Sequence, residues 1–410
     1  MAKSESESTQ KRNPGLTLSL LVVLGFMSTV GPLSMDMYLP AFTDIASDLN
    51  ASASAVQLTL TTFMVGMGLG QLLLGAASDI FGRRKVLLLA LSFFVVSSIL
   101  LVFVPSIELF IALRIIQGLS GSAGIVLART IAVDVAGPKD AVRALSLITT
   151  AVGVGPLIAP PIGSVVHGLF GWHGVMALLA ILAAAMLIAA FFFVPESLPA
   201  KNRQPAALKS IFGRFGKFFK DPVFIASIGA FACAYGALGG YISASSFVGQ
   251  TILGMSPVFY ALGFALGASA MIIGNVINAN ISDRVQVRHM LLVSITIGTV
   301  AAAAMLIQVL AGVLTIPGFV ITAFCLTAGV GLTMSNASAM ALVNAGTSRG
   351  SGSALLGAFQ FLAGGIASPL VGLAGEGSAL PMALVLLGGM ILSLICGLVA
   401  YRFYRSGQKN

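Results

Sequence analysis

A chain of 410 residues that is 57% hydrophobic and only 9% charged, with a mean hydropathy of +1.01, is not an ordinary soluble globule. Its formal charge of +9 does not make it a nucleic-acid binder, because the basic residues sit in short segments between apolar runs and are not gathered on one domain. What remains is an all-α polytopic membrane protein.

Residues 1–15 are polar and lack the small-residue cleavage site of a signal peptide, so they are expected to form a cytoplasmic tail, with the first apolar run kept in the membrane. A spanning helix needs about 20 largely apolar residues, at 1.5 Å rise per residue across roughly 30 Å. Twelve segments qualify, near 16–38, 54–76, 86–104, 108–129, 143–166, 173–194, 222–246, 257–280, 290–311, 315–337, 352–373 and 380–402. Ser106 ahead of Glu108, Asp221 before Pro222 and Ser256 before Pro257 carry helix-start chemistry. The polar stretch 195–221 divides the spans six and six, giving an N-terminal half over 16–194, a cytoplasmic linker, a C-terminal half over 222–403 and a tail over 404–410. Within the linker, Leu208 to Lys220 alternates Phe and Ile with Lys and Arg, which suits a helix on the inner membrane surface. Equal halves suggest the internal repeat of secondary transporters, with substrate near the midplane between them.

With both termini inside, every Lys and Arg except Arg114 falls on the cytoplasmic side, while outer loops hold acids such as Asp44, Asp48, Glu108 and Glu376. On that asymmetry both termini are expected in the cytoplasm, and the chain is expected in the inner (plasma) membrane.

In the first span, STVGPLSMDMYLP over 28–40 puts Asp36 at the end of an apolar run, and an ionisable group there is a functional candidate by default. Counting from Leu16 places Asp36 toward the outer end, with the Gly31-Pro32 break able to bring it inward. After the second span comes GAASDIFGRRK, with Gly75, Asp79, Gly82, Arg83, Arg84 and Lys85. This frame resembles the cytoplasmic loop signature of the major facilitator superfamily, and the resemblance implies a conformational latch; the bland alternative is a positive-inside loop.

In the fourth span Arg114, Gln117, Gly118 and Gly121 resemble the superfamily's R-x-x-Q-G motif, associated with proton-coupled members. Arg114 lies about 22 Å up the helix from Arg129, so it is in the outer half and needs a carboxylate, carbonyls or water as partners. The fifth span carries Gly155, Pro156, Pro160 and Gly163 and should bend and pack tightly. It resembles the antiporter motif of drug exporters, with Ala159 and Pro160 in place of the final glycine pair. Together with PLSMDMYLPAF and GWHGVMALLA, around Trp172 and His173, the chain resembles the Bcr/CflA type of drug-resistance transporter, which implies export of compounds such as bicyclomycin or chloramphenicol.

The second half holds no acid or base within a span, and NANISDRVQVR, with Asp283, Arg284 and Arg288, is an eroded copy of the loop signature. Met35, Tyr38, Gln117, Tyr235, Tyr241, Asn275 and Gln360 are the candidate substrate contacts, each weighed against an interhelical hydrogen bond. Gly66 with Gly70 has the spacing of close helix packing. The cysteines Cys233, Cys325 and Cys396 read as small core residues, and His167 and His173 flank an outer loop where a structural or incidental role is expected.

No nucleotide-binding loop, metal cluster or nucleophile set is present in the sequence, so no cofactor, metal or enzyme activity is expected. The expected function is export of small amphipathic drugs in exchange for protons by a monomer with two alternating halves, with Asp36 and Arg114 coupling to protons. In an apolar cavity Asp36 resists ionisation, and a nearby Arg114 would favour its charged form. The competing expectations are a proton-coupled symporter or facilitator of a small metabolite and a non-transporting membrane receptor.

Overall fold

The computed structural model describes residues 17–136, 138–200, 203, 220–282, 284–344, 349–372 and 377–407. The N-terminal tail, the linker stretch 208–219 expected to form a surface helix, Asp283 and Glu376 lie outside the described residues.

Among these residues the structure is helical with no strand: α1 Leu18–Asp36, α2 Phe42–Asp48, α3 Ala53–Phe81, α4 Arg83–Val102, α5 Ile107–Val135, α6 Pro138–Phe193, α7 Pro222–Phe247, α8 Pro257–Ile281, α9 Val287–Leu310, α10 Ile316–Asn344, α11 Arg349–Gly372 and α12 Leu380–Gly407. Eleven stretches are long and apolar enough to cross a membrane. One of them, the 43 residues Ala151–Phe193, would measure about 65 Å if straight, twice the hydrocarbon thickness. It is two helices joined at Gly171, whose φ of +67° ends the first and starts the second. The twelve expected spans are thereby accounted for.

All three expected helix starts form as side-chain caps. Ser106 Oγ accepts from Leu109 N, Asp221 Oδ1 accepts from Val223 N and Phe224 N, and Ser256 Oγ accepts from Phe259 N. Each satisfies donors that the first turn of a helix leaves free.

Pairings between helices repeat in the two halves. In the first, α1 packs on α5 and α6, α3 on α5, and α4 on α5 and α6; in the second, α7 packs on α10, α11 and α12, α8 on α10, and α9 on α10 and α12. The α3–α5 seam is a close one, because a Cβ on Gly66 would strike the Ile115 carbonyl and one on Gly118 the Phe63 carbonyl. Small residues there let backbones touch, as the Gly66 and Gly70 spacing led one to expect. The halves meet along two lines, α3 against α11 and α6 against α8.

Candidate functional site

The first helix starts where Thr17 caps it and ends at Asp36, four residues past Pro32. A 3-10 turn, Leu39–Ala41, and the short α2 follow and cover that end. Asp36 is 0% exposed, and neither carboxylate oxygen has a hydrogen-bond partner among the described residues. It is thus not an exposed rim group, although it closes the helix as the count from Leu16 implied.

A groove of about 550 Å³ runs between α1 and α6, lined from α1 by Leu18, Leu21, Val22, Gly25, Phe26, Thr29 and Leu33 and from α6 by Leu147, Ala151, Val154, Gly155 of the expected antiporter helix, and Ile158. Its size lies within the range of small-molecule sites, about 300–1,000 Å³. Thr29 is the one lining residue with a polar side chain. At 3.6 residues per turn, Asp36 stands five turns above Leu18 and continues the stripe Leu18, Val22, Gly25, Thr29, Leu33. At the top of that stripe, Asp36 lies within electrostatic reach of Tyr235 on α7 and Tyr260 on α8 of the second half, as well as of Tyr38.

Arg114 is also 0% exposed, two turns into α5, but its surroundings differ. Nη1 donates to the Gln117 Oε1 at 2.6 Å and to the Ser34 carbonyl at 3.1 Å, while Nε donates to the Thr59 carbonyl at 3.4 Å. The guanidinium is sandwiched between the rings of Tyr38 and Phe63, 4.4 and 4.2 Å from their centroids. Gln117 Nε2 in turn donates to Ser98 Oγ at 2.8 Å, and the Tyr38 hydroxyl pairs with Thr59 Oγ1 at 3.0 Å. One arginine therefore ties α1, α3, α4 and α5 together. Asp36 and Arg114 form no ion pair; of the partners an intramembrane arginine can take, this one uses carbonyls, an amide and two rings.

At the opposite end, the loop between α3 and α4 turns at Gly82, φ +100°, a conformation that favours glycine. Arg83 bonds the Asp79 carboxylate, Ser78 Oγ at 2.6 Å and Asp134 Oδ2 of α5 at 3.2 Å. Its backbone N–H donates to Glu196 at 2.9 Å, and Glu196 also faces Arg203 at 3.7 Å. Asp79 and Arg83 thus stand in one network, whereas Arg84 points away to α6 and donates to the Phe191 carbonyl at 2.6 Å.

The Major Facilitator Superfamily profile matches residues 24–369. The chain belongs to the major facilitator superfamily. Over 396 residues it is 30% identical to a bicyclomycin resistance protein homolog of Haemophilus influenzae, covering 95% of this chain and 97% of that one. Over 264 residues, 62% of this chain and 66% of the other, it is 31% identical to multidrug resistance protein D of Escherichia coli. These relatives bear out the resemblance to Bcr/CflA-type drug-resistance transporters. A D-xylose-proton symporter crystal structure superposes with a TM-score of 0.73 at 16% identity, over 94% of this chain and 97% of that one, which speaks for the fold alone.

In this superfamily member the remaining sequence candidates are dispersed. Met35 is buried, Tyr38 and Gln117 belong to the Arg114 network, Tyr235 stacks edgewise on Phe361 with centroids 5.7 Å apart, and Gln360 is half-buried beside Tyr235. Tyr241 stacks on Phe264 at 5.8 Å, and Asn275 Oδ1 accepts from Ser335 at 2.7 Å, an interhelical bond between α8 and α10. None of these seven lines the groove. Of the fifth-span set, Gly155 and Gly163 lie against α1, since a Cβ on Gly155 would sit 3.4 Å from Pro32 and one on Gly163 would strike the Met37 carbonyl.

Sequence reasoning passed over the groove residues Val22, Phe26, Thr29 and Val154, whose apolar or small side chains in apolar helices give no signal. It also passed over Asp134 and Glu196, which had one: they are acids at the end of the bundle where the bases collect. His167 is better held than a loop histidine, since its side chain is 8% exposed and Nε2 lies 2.8 Å from Asp44 Oδ2.

Proposed function

We propose that this transporter exports small amphipathic drugs in exchange for protons, by alternating access of its two halves across the inner membrane, with both termini cytoplasmic. The observation that carries the reading is Asp36, a fully buried carboxylate without a hydrogen-bond partner among the described residues, at the top of the α1 stripe that lines the groove and within reach of Tyr235 and Tyr260 of the second half. Burial takes such a carboxylate out of bulk solvent with no cation beside it among the described residues, so its charge state can follow the conformation that exposes it. An amphipathic solute of drug size fits a groove whose walls are aliphatic, with Phe26 and Thr29 offering a ring and a hydroxyl.

The cycle then has two requirements. Outward exposure of Asp36 gives it access to protons, and inward exposure along the α1–α6 stripe gives the groove access to drug. The names of the relatives support the drug class, and the bias of basic residues supports the orientation. Arg114 serves this reading as the tie that holds the α1 end in place, and the Asp79–Arg83–Asp134 network as the cytoplasmic latch.

The test is transport in proteoliposomes with an imposed pH gradient, using chloramphenicol and bicyclomycin as probes. Asp36→Asn should abolish gradient-driven movement of drug while leaving the protein folded. Full gradient-driven exchange by that variant at all pH values would refute the assignment.

A further inference from the structure

One arrangement appears in both halves and lies outside the Asp79–Arg83–Asp134 network. Arg84, the second residue of α4, lays its guanidinium over the Phe191 ring near the end of α6, 5.5 Å from the centroid. Arg288, the second residue of α9, lies over the Tyr401 ring near the end of α12 at 5.3 Å. The helices correspond: α4 and the second part of α6 are the third and sixth spans of the first half, and α9 and α12 are the third and sixth of the second. The loop copy around Arg288 is eroded in sequence, yet the stacked arginine persists.

Neither guanidinium pairs with a carboxylate among the described residues, although Arg83, next to Arg84, pairs with two. In both arginines Nε is buried without a partner; Arg84 Nη2 is held by the Phe191 carbonyl at 2.6 Å, while Arg84 Nη1 and both Nη atoms of Arg288 make no hydrogen bond among the described residues. Basic companions stand alongside, Lys85 in the first half and His289 in the second, where the Tyr401 hydroxyl shares a hydrogen bond with His289 Nε2 at 3.2 Å. Both pairs sit at the rim of exposed apolar helix faces, marked by Leu89 and Ile188 in one half and by Val293 and Leu398 in the other.

A guanidinium held flat on a ring loses little freedom on binding, and its edge matches two oxygens of a phosphodiester. Aliphatic faces running away from that edge suit acyl chains, which a free phosphate would not use. We propose that each arginine–aromatic pair seats the headgroup of an anionic phospholipid, one per half, on the outer flank of the bundle. With the orientation proposed above, both sites face the inner leaflet, and only that placement rests on it.

Native mass spectrometry of the full-length protein in mild detergent, titrated with dioleoylphosphatidylglycerol or dioleoylphosphatidylcholine, tests this. Two phosphatidylglycerol molecules should be retained at concentrations where phosphatidylcholine is not. Arg84→Gln and Arg288→Gln should each remove one of them. Arg→Lys at either site, which keeps the charge but not the planar fork, should weaken that lipid roughly tenfold. Unchanged phosphatidylglycerol binding in the double Gln variant, equal binding of phosphatidylcholine, or displacement of lipid by inorganic phosphate would overturn the proposal. Should the double variant fail to fold, the wild type still decides: its thermal midpoint should rise with phosphatidylglycerol and not with phosphatidylcholine, and equal shifts would count against the sites. Failure here leaves the export reading standing, because that is read from drug flux and Asp36.

Discussion

Asp36 and Arg114 are the two charges buried at this depth, and they are treated in opposite ways. The arginine is surrounded by acceptors and rings; the aspartate has none. The arginine donates through Nε and Nη1, while Nη2 has no hydrogen-bond partner among the described residues, and removing the side chain strands the groups that accept from it. Arg114→Gln should therefore destabilise the protein by roughly 3 kcal/mol, by leaving the Ser34 and Thr59 carbonyls and the Gln117 amide without their donor. A thermal-melt series would show this as a lowered midpoint. The same series separates the two accounts of the pair. If Asp36 were the arginine's counter-ion, Asp36→Asn would recover stability in the Arg114→Gln background by removing the stranded charge. On the geometry seen here the double variant should melt where Arg114→Gln alone does, and a recovery would place the two charges in one unit.

Elements explain why Asp36 stays covered. The segment after it folds back as a 3-10 turn and α2, a helix of seven residues that is too short to hold itself. Two contacts to the α6 break pin it: Asp44 to His167, and Asp48 Oδ2 accepting from Trp172 Nε1 at 2.8 Å. Trp172 is itself stacked between Phe110, 6.1 Å away, and His173, 3.6 Å away. Trp172→Phe should keep the stacking and lose the hydrogen bond. Loss of about 1.4 kcal/mol would speed local opening about tenfold, so amide exchange over 42–48 should accelerate while that of α1 is unchanged; equal rates in the variant would show that α2 is held by packing alone. At this scale the sequence was informative wherever the cause is local. Hydropathy marks the spans, and Ser106, Asp221 and Ser256 mark their starts by side-chain chemistry within three residues. A charge in an apolar run is equally visible, which is why Asp36 and Arg114 stood out. Their partners were not, because the Ser34 and Thr59 carbonyls are backbone groups that any sequence has. Only Gln117, one turn from Arg114, lay within reach of a local argument. Asp44 and Asp48 read as outer-loop acids, and nothing in their spacing shows that a histidine and a tryptophan more than a hundred residues on receive them.

Across the whole molecule, every described side-chain hydrogen bond between the halves lies at the end of the bundle that carries α2. Ser246 Oγ donates to the Leu39 carbonyl at 2.7 Å, Gln250 Nε2 to the Pro40 carbonyl at 3.2 Å, Ser54 Oγ to the Gly372 carbonyl at 2.6 Å, and Ser368 Oγ to the Gln57 carbonyl at 3.3 Å. These bonds hold that end shut while the groove opens toward Leu18 at the other. All are neutral, so opening costs no separation of charge in a low-dielectric setting. At about 0.5–1.5 kcal/mol net each, the four together bias the closed state by roughly 2–6 kcal/mol, a gap that differential binding of a proton or a drug can reverse. Removing two of them with Ser246→Ala and Gln250→Ala should shift the balance toward the state open at the α2 end by roughly 1–3 kcal/mol, or about five- to a hundredfold. Spin labels on Phe103→Cys and Val313→Cys, both exposed and clear of the seam, would report it in a background without Cys233, Cys325 and Cys396. Pulsed dipolar spectroscopy should show a longer-distance population growing in the double alanine variant. An unchanged distribution would mean that the apolar contact of Phe42 with Phe247, centroids 5.9 Å apart, holds this end closed and the hydrogen bonds only align it.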